Sequence, residues 1–379
     1  MSAFHIREIA AGTDWAFGAL HDLEVEITTE LYGEDLSLSA DWMRNSYANE
    51  KTAIKAALVA VPGPAPAAGP RGRFGLPLAP AEPVELLGSI QFSLPTADNR
   101  HLVEDCFCDV RAGLRRGGIG TALWHEVVRI AGEYGRDTIL AWSEHHLASA
   151  DPEAERLVPP TGEGWIPLDA GSRFARSLGL SLAQVERQSR LELPVPPGLL
   201  AELRAQAEAH ALPAYRVESW TGPTPSRHHD RVAAMQRAVS TDAPTGDVDW
   251  QPENWDAERV RQMDDQIHRS GHSVTTLAIA PDGSAAGYTT IQVHDSHPHR
   301  PDQWTTVVAG EHRGHRLGLL VKVANLQLLA EDQPDAQHLV TWNAGENAHM
   351  LAINTQLGFR PHSVHGAWQT RSVPAASAP

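Results

Sequence analysis

The sequence predicts a mixed α+β chain made of two successive copies of one fold, each a central, mostly antiparallel sheet flanked by helices. Three observations carry this. One ordered set of residues occurs twice: Val110 stands five residues before Arg115 and Val308 five before Arg313, with Glu104 and Asp302 each six residues before those valines. Each arginine is followed by a helical pattern and a strand ending in tryptophan, TILAWSE around Trp142 and HLVTWNA around Trp342, and each half closes on Leu178-Gly179-Leu180 or Leu357-Gly358-Phe359. Parallel order over such a span marks a duplicated unit. Second, Pro194-Val-Pro-Pro-Gly198 punctuates the middle of the chain. It sets one domain over 1–194, a linker and connecting helix over 195–214, a second domain over 215–372 and a disordered tail over 373–379. Third, 379 residues suffice for two domains of ordinary size, each with its own core.

Taken in order, residues 5–9 read as a strand, and the apolar spacing from TDWAFGALHDLEVEITTELY onward gives helices to about residue 50. AALVAV at 56–61 is a second strand. The Pro/Gly/Ala-rich run 62–84 has no periodicity and is expected to be a mobile loop. Residues 84–94 form a third strand with Gly88 as a candidate bulge. In 104–110 a period of two places Glu104, Cys106, Cys108 and Val110 on one face, and Asp105, Phe107 and Asp109 on the other. A glycine-rich turn, an amphipathic helix from Thr121 and a strand at 138–142 come next. The polar, Pro-rich stretch between Trp142 and Leu178 is an insertion, and VERQSRLELP closes the first half. The second half repeats the series: a strand at 215–220, two helices, the strands SVTTLAIA and AAGYTTIQVHD, the turn at Arg313, a helix, HLVTWN, a helix and a last strand near 363–370.

Composition narrows the function. The formal net charge of −16 disfavours nucleic acid and suits cationic partners such as amines. No run approaches the ~18 apolar residues of a membrane span, and the N-terminus lacks the basic and apolar regions of a signal peptide. A cytoplasmic chain, monomer or homodimer, is expected. Cys106 and Cys108, one residue apart on a strand, are placed for neither a disulfide nor a zinc site, and read as buried thiols. His294, His297 and His299 lack fixed-spacing carboxylate or cysteine companions, so no metal is expected. Only Lys51, Lys55 and Lys322 of the 31 basic residues are lysines, the mark of a GC-rich, actinobacterial-type genome.

The turn Arg115-Arg116-Gly117-Gly118-Ile119-Gly120 before Thr121 joins a strand to a helix N-terminus, where unpaired amides and the helix dipole favour an anion. It is not the dinucleotide fingerprint, because Leu123 stands where the third glycine belongs, and no Gly-Lys-Ser/Thr follows. Arg115-x-x-Gly118-x-Gly120 does resemble motif A of the GNAT superfamily of N-acetyltransferases. The resemblance implies that Val110 and Arg115 to Thr121, with Arg116, Gly117 and Ile119, cradle the pyrophosphate of acetyl-CoA. The second copy comprises Val308, Arg313, Gly314, His315, Arg316 and Gly318, with Arg316 where the first has a close-approach glycine. Conversely, Asn343, Asn347 and Asn354 resemble the family's pantetheine-contacting segment. Tandem GNAT chains, of which mycothiol synthase is one type, match this organisation.

An amine must lose a proton before it attacks a thioester. Glu104 stands where certain histone acetyltransferases of this superfamily carry their glutamate base; with Cys106, Cys108 and Val110 as facing partners its pKa would rise if buried. Asp302 is the counterpart, with solvation expected after the loop SHPHRP. The tyrosine that usually protonates the thiolate is Ala175 or Asn354 here, so neither half offers it. The resemblance thus implies an acetyl-CoA-dependent N-acetyltransferase acting on a small amine, an antibiotic or biosynthetic intermediate, by direct attack. The alternatives are a GNAT pair that binds acyl-CoA without turnover, and an aminoacyl transferase of the peptidoglycan-bridge type.

Overall fold

The computed structural model describes residues 4–10, 12–148, 153 and 155–371; the expected tail at 373–379 lies outside them. The chain divides into two compact units. The first comprises residues 1–185, 247–249 and 365 onward; the second comprises 186–246 and 250–364. Among the described residues no helix is long and apolar enough to cross a membrane.

The first unit runs β1 (Phe4–Glu8), α1 (Asp14–Tyr32), α2 (Ala40–Tyr47), β2 (Ala53–Pro62), β3 (Gly88–Pro95), β4 (Leu102–Val110), α3 (Ile119–Glu133), β5 (Thr138–His146), the short hairpin β6 (Arg156–Leu157) and β7 (Ile166–Pro167), α4 (Ala170–Ser177) and the start of β8 (Ser181–Glu192). Strands β1 to β4 pair antiparallel in order, and β5 adds parallel to β4. The second unit takes up the rest of β8, then α5 (Pro197–Ala211), β9 (Arg216–Thr221), α6 (His229–Asp242), α7 (Ala257–Ile267), β10 (Gly271–Ile279), β11 (Ala285–His294), β12 (Asp302–Val308), α8 (Leu317–Asp332), β13 (His338–Ala344), α9 (Ala348–Leu357) and β14 (Arg360–Arg371). Strands β9 to β12 pair antiparallel, β13 is parallel to β12, and β8 pairs antiparallel with β13. The end of β14, from His365, lies beside β5 in the first unit. Each sheet is therefore finished by a strand encoded in the other half of the sequence.

The duplication shows in the register. Val110 pairs with Gly88, and Val308 with Gly287, at corresponding ends of β4 and β12. Each first pair of helices covers one sheet face: Phe17, Leu20 and Met43 of α1 and α2 pack on Ala57 and Val59 of β2, and Val232, Met235 and Val260 of α6 and α7 pack on Leu277 and Tyr288. The helix after Pro194 enters a core. Leu200, Leu203, Ala207 and Ala211 of α5 pack with Leu317, Leu320 and Leu329 of α8.

Two local expectations are corrected. The run 62–84 is pinned, because the Glu8 carboxylate accepts the backbone N–H of Arg73 (2.9 Å) and of Phe74 (3.0 Å). Phe74 is buried against Phe92 and Tyr134, so one apolar anchor orders a stretch that has no periodicity. Gly88 is not a bulge but a point of close approach: a Cβ there would lie 2.6 Å from the Asp109 carbonyl oxygen and 3.2 Å from Ile119 Cγ2.

One core position carries a charge. Lys322 of α8 is fully buried, with its Nζ 5.4 Å from the centroid of the Phe359 ring. Burial pushes its pKa down to about 7. The folded state thus binds fewer protons than the unfolded chain between about pH 7 and the ordinary lysine value, so this group's contribution to stability improves as pH rises through that window. Lys322→Met is expected to raise the stability of the second unit at pH 7 by on the order of 1–4 kcal/mol and to flatten its pH dependence between 7 and 10. Denaturant unfolding at several pH values checks this; an unchanged pH slope in the variant would count against it.

Candidate active site

The strand-turn-helix of the first unit is built from the backbone outward. After Val110 a single 3-10 turn (Ala112–Leu114) leads to Arg115 in extended geometry. Arg116 (φ 66°) and Gly118 (φ 87°) are left-handed, and α3 starts at Ile119 with no side chain capping it. An uncapped first turn leaves its amides to a ligand, and no atom lies within 4 Å of a Cβ built on Gly118. Gly118 therefore meets two demands, its φ and the open space above it. Gly120 serves packing instead: a Cβ there would stand 3.0 Å from Phe174 Cζ and 3.6 Å from Cys108 Sγ. Ile119 is buried, while Arg116 and Thr121 are exposed and Gly117 partly so. Arg115 points elsewhere. Its guanidinium forks onto Glu30 of α1 at 2.8 and 2.6 Å, and its Nε donates to the Val110 carbonyl at 2.9 Å.

Strand β4 carries an extra residue. Gln91 pairs with Phe107, yet Ser93 pairs with Glu104, and Asp105 between them adopts φ 54°. This β-bulge changes which residues share a face. Glu104 joins Phe107 and Asp109 on the side covered by α1 and α2, rather than Cys106 and Cys108 as strict alternation predicts. Its expected cysteine neighbours are therefore replaced by Phe107 and Asp109. Pairing of β4 with β5 ends at Cys106 opposite Ala141.

That face is polar and acidic. Tyr47 donates to Gln91 Oε1 (2.7 Å), Gln91 donates to Glu24 Oε1 (2.5 Å), and Tyr32 donates to Glu144 Oε2 (2.8 Å). Burial, with Asp109 and Glu144 nearby, pushes Glu24 up to about 8 despite the Gln91 hydrogen bond. Burial and the Glu144 charge push Asp109 up to about 7 against the pull of Arg115. Burial lowers the pKa of Lys55, against the attraction of Asp105 and Glu104. Glu24, Tyr32, Tyr47, Gln91 and Glu144 come from four separate elements, and no local motif announces them. The high acidic content is the one sequence signal that points their way.

The second turn has the same backbone with its glycine moved. Gly314 (φ 87°) takes the place of Arg116, Arg316 (φ 55°) that of Gly118, and α8 again starts uncapped. Arg316 thus adopts the left-handed geometry itself, and its Nη1 lies 3.4 Å from Gln206 Oε1. Arg313 pairs with Asp242 of α6 at 2.8 Å, as Arg115 does with Glu30. Gly318 packs on Ile353 and Val308, and His315 on Tyr215.

Asp302, expected in solvent, is buried with carboxylate oxygens 3.3 Å from His294 Nε2 and 3.7 Å from Arg300 Nη1. These partners come from the flanking loop and strand and exclude water. Asn354 donates to Asn343 Oδ1 at 2.6 Å, and Asn347 caps α9 through the Met350 N–H. Where the first unit has its acidic face, the second has a cavity of about 210 Å³ lined by Thr275, Tyr288, Thr290, Asp264 and Trp304 among others.

A sheet of this order, with a parallel pair that separates past a bulge and a glycine turn feeding the next helix, defines the GNAT fold, here present twice. A tandem GNAT protein from the clavulanic acid biosynthesis pathway, solved without AcCoA, is similar over 100% of both chains at 22% identity and TM-score 0.68. A GCN5-related N-acetyltransferase from Sphaerobacter thermophilus is similar over 99% of this chain and 98% of its own, at 11% identity and TM-score 0.57. A glucosamine N-acetyltransferase region of a fungal multi-domain GH3 β-N-acetylglucosaminidase matches 97% of this chain and 38% of its own, at 15% identity and TM-score 0.56. At these identities the likeness is one of fold. No family model matches the chain, and no curated protein matches it in sequence.

Valine at position 118 would have to adopt φ 87° and would project into the open space above the turn. Gly118→Val is expected to cost about 1–2 kcal/mol of stability and to abolish the turn's anion affinity, whereas Gly118→Asn, which tolerates the left-handed region, should retain the fold. Calorimetric titration with acetyl-CoA beside thermal melts checks this; undiminished affinity in the valine variant would place the anion at Arg313–Gly318 instead.

Proposed function

We propose that the first unit transfers the acetyl group of acetyl-CoA directly to a small cationic amine. The observation that carries this reading is the arrangement along β4: an open, uncapped turn at one end, and a bulge that sets Glu104 among the carboxylates of the α1–α2 face. The amides of Arg116 to Thr121 would hold the pyrophosphate. Glu24, Asp109 and Glu144 would attract the ammonium form of the acceptor, and Glu104 would take its proton as nitrogen attacks the thioester carbon. The acidic cluster suits a cation in particular, since carboxylates crowded together gain most from one that neutralises them.

For the second unit we propose a binding role without chemistry. Asp302 is fixed by His294 and Arg300 and is poorly placed to exchange protons with a substrate. Its cavity, lined by the hydroxyls of Thr275, Tyr288 and Thr290 beside the Asp264 carboxyl, would receive a small polar ligand.

Two variants test the assignment in the first unit. Glu104→Gln keeps the shape and removes the basicity, so turnover should fall by ~10²–10⁴-fold while acetyl-CoA affinity survives, with partial relief at high pH. A pH–rate profile identical to wild type would remove Glu104 from the mechanism. Asp109 and Glu24 ionise only as pH rises through about 7 and 8, so the KM for the amine should fall over that range while the acceptor stays charged. Asp109→Asn should remove the lower part of this dependence; steady-state kinetics at several pH values decides it.

A further inference from the structure

Ser143, His145 and Asp169 stand in line in the first unit. Ser143 and His145 are two residues apart on β5, so their side chains leave the same face, opposite Glu144. Ser143 Oγ lies 2.8 Å from His145 Nε2, and His145 Nδ1 lies 2.6 Å from Asp169 Oδ2. Asp169 is held in turn by a capping box at the start of α4. Its Oδ1 accepts the Ser172 N–H at 3.1 Å, and its own N–H donates to Ser172 Oγ at 2.8 Å. Burial alone would raise the Asp169 pKa, but His145 and Ser172 outweigh it, and the carboxyl stays below its ordinary range.

The protons follow from the donors and acceptors. An ionised carboxylate only accepts, so in the neutral imidazole Nδ1 carries the proton and Nε2 presents a bare lone pair. The Ser143 hydroxyl then donates to Nε2. The Trp368 indole, a donor only, gives its N–H to the same Oγ at 2.8 Å. The oxygen has one lone pair left, and loss of its proton is favoured from both sides. His145 is buried, while Ser143 keeps part of its surface open. Ser143 also lies two residues beyond Ala141, the last β5 residue paired with β4. The first turn of α4 stands over the pair: a Cβ on Gly171 would be 3.9 Å from His145 Cε1 and 4.0 Å from Ser143 Cβ. A helix N-terminus there favours a developing negative charge.

We propose that Ser143 is a nucleophile, activated by His145 and oriented by Asp169, that accepts the acyl group of an activated ester or thioester. Ser143 Oγ attacks the carbonyl carbon as its proton passes to His145 Nε2. The carbon–sulfur or carbon–oxygen bond breaks, and the leaving thiolate or alkoxide takes that proton from His145. Water or an amine then cleaves the acyl-serine ester by the same route, giving its proton to His145 and returning it to Ser143. This activity does not rest on direct transfer from acetyl-CoA, and the second unit lacks it, having Asn343 on β13 and Gly345 just past its end at the corresponding places.

The test uses the full chain with a fluorophosphonate and with p-nitrophenyl acetate, neither of which needs a CoA site. Wild type should gain one phosphonyl group, mapped by peptide mass spectrometry to Ser143, and should release p-nitrophenolate in a burst of one equivalent. Ser143→Ala should do neither. Asp169→Asn, which still caps α4 but no longer fixes the imidazole tautomer, should label about 10³–10⁴-fold more slowly. Wild type that labels no faster than Ser143→Ala would overturn the proposal and leave the chain of hydrogen bonds as a clamp between β5 and α4. Acetyl-CoA titrations of the same preparations report separately on the direct-transfer reading, since Ser143→Ala should keep its affinity.

Discussion

The site in the first unit depends on one inserted residue. Asp105 holds a left-handed backbone at φ 54°, a conformation that costs an L-residue roughly 1–2 kcal/mol. Three consequences come from that one distortion. Glu104 turns from the α3 face to the α1–α2 face, pairing of β4 with β5 stops at Cys106, and the remainder of β5 is released to present Glu144 on one side and Ser143 with His145 on the other. In a regular strand Glu104 would sit beside the buried Cys106 and the half-buried Cys108, and β5 would stay hydrogen-bonded along its length. The second unit has a bulge of the same kind, with Thr289 opposite Thr306 and Ile291 opposite Gln303. There the displaced residues are Trp304 and Thr305, which line a cavity instead of forming an acidic face.

Arginine and carboxylate pairs then fix what the bulge opens. Glu26 and Glu30 lie one helical turn apart on α1 and pair with Arg111 and Arg115, which flank the 3-10 turn. Half-exposed pairs of this kind contribute little to stability, about 0–1 kcal/mol each. The two-pronged Arg115–Glu30 contact nevertheless fixes direction, and with Arg111–Glu26 it sets α1 over the end of β4. Arg313 ties α6 to the second turn through a single contact to Asp242. These contacts also explain why the motif arginines are turned away from the space where an anion would sit, leaving the backbone amides to face it.

Much of the fold was legible because it is written in short-range pattern. The order of elements, the repeat and both glycine turns follow from periodicity and from glycine at positions that demand it. Even so, the sequence reads Arg316 as a defect where the backbone makes it a left-handed cap. The acidic face was less legible, since Glu24, Gln91 and Glu144 lie far apart in sequence and meet only through the register of β3, β4 and β5. The facing of Glu104 was misread for a related reason: strict alternation cannot foresee a bulge, and nothing in EDCFCDV marks one. The ordered loop at 62–84 is held by the buried Glu8 carboxylate and Phe74, with donors from Arg7, Trp15 and Arg129 reaching its carbonyls. Scattered anchors of this kind leave no periodic trace. Ser143, His145 and Asp169 were equally hidden, because a capping aspartate after an insertion gives no sign of facing a strand histidine.

The exchange of closing strands sets the order in which this chain can mature. Residues 365–371 lie beside β5, yet they are the last described residues to be synthesised. While translation continues, β5 is an open edge with unpaired amides and carbonyls, the kind of surface that recruits stray strands. Trp368 is likewise absent from Ser143 until residue 368 has left the ribosome. The N-terminal half can therefore neither complete its sheet nor assemble its hydroxyl centre during synthesis. A gene cut at Pro194 would encode two fragments, each missing the strand that seals it.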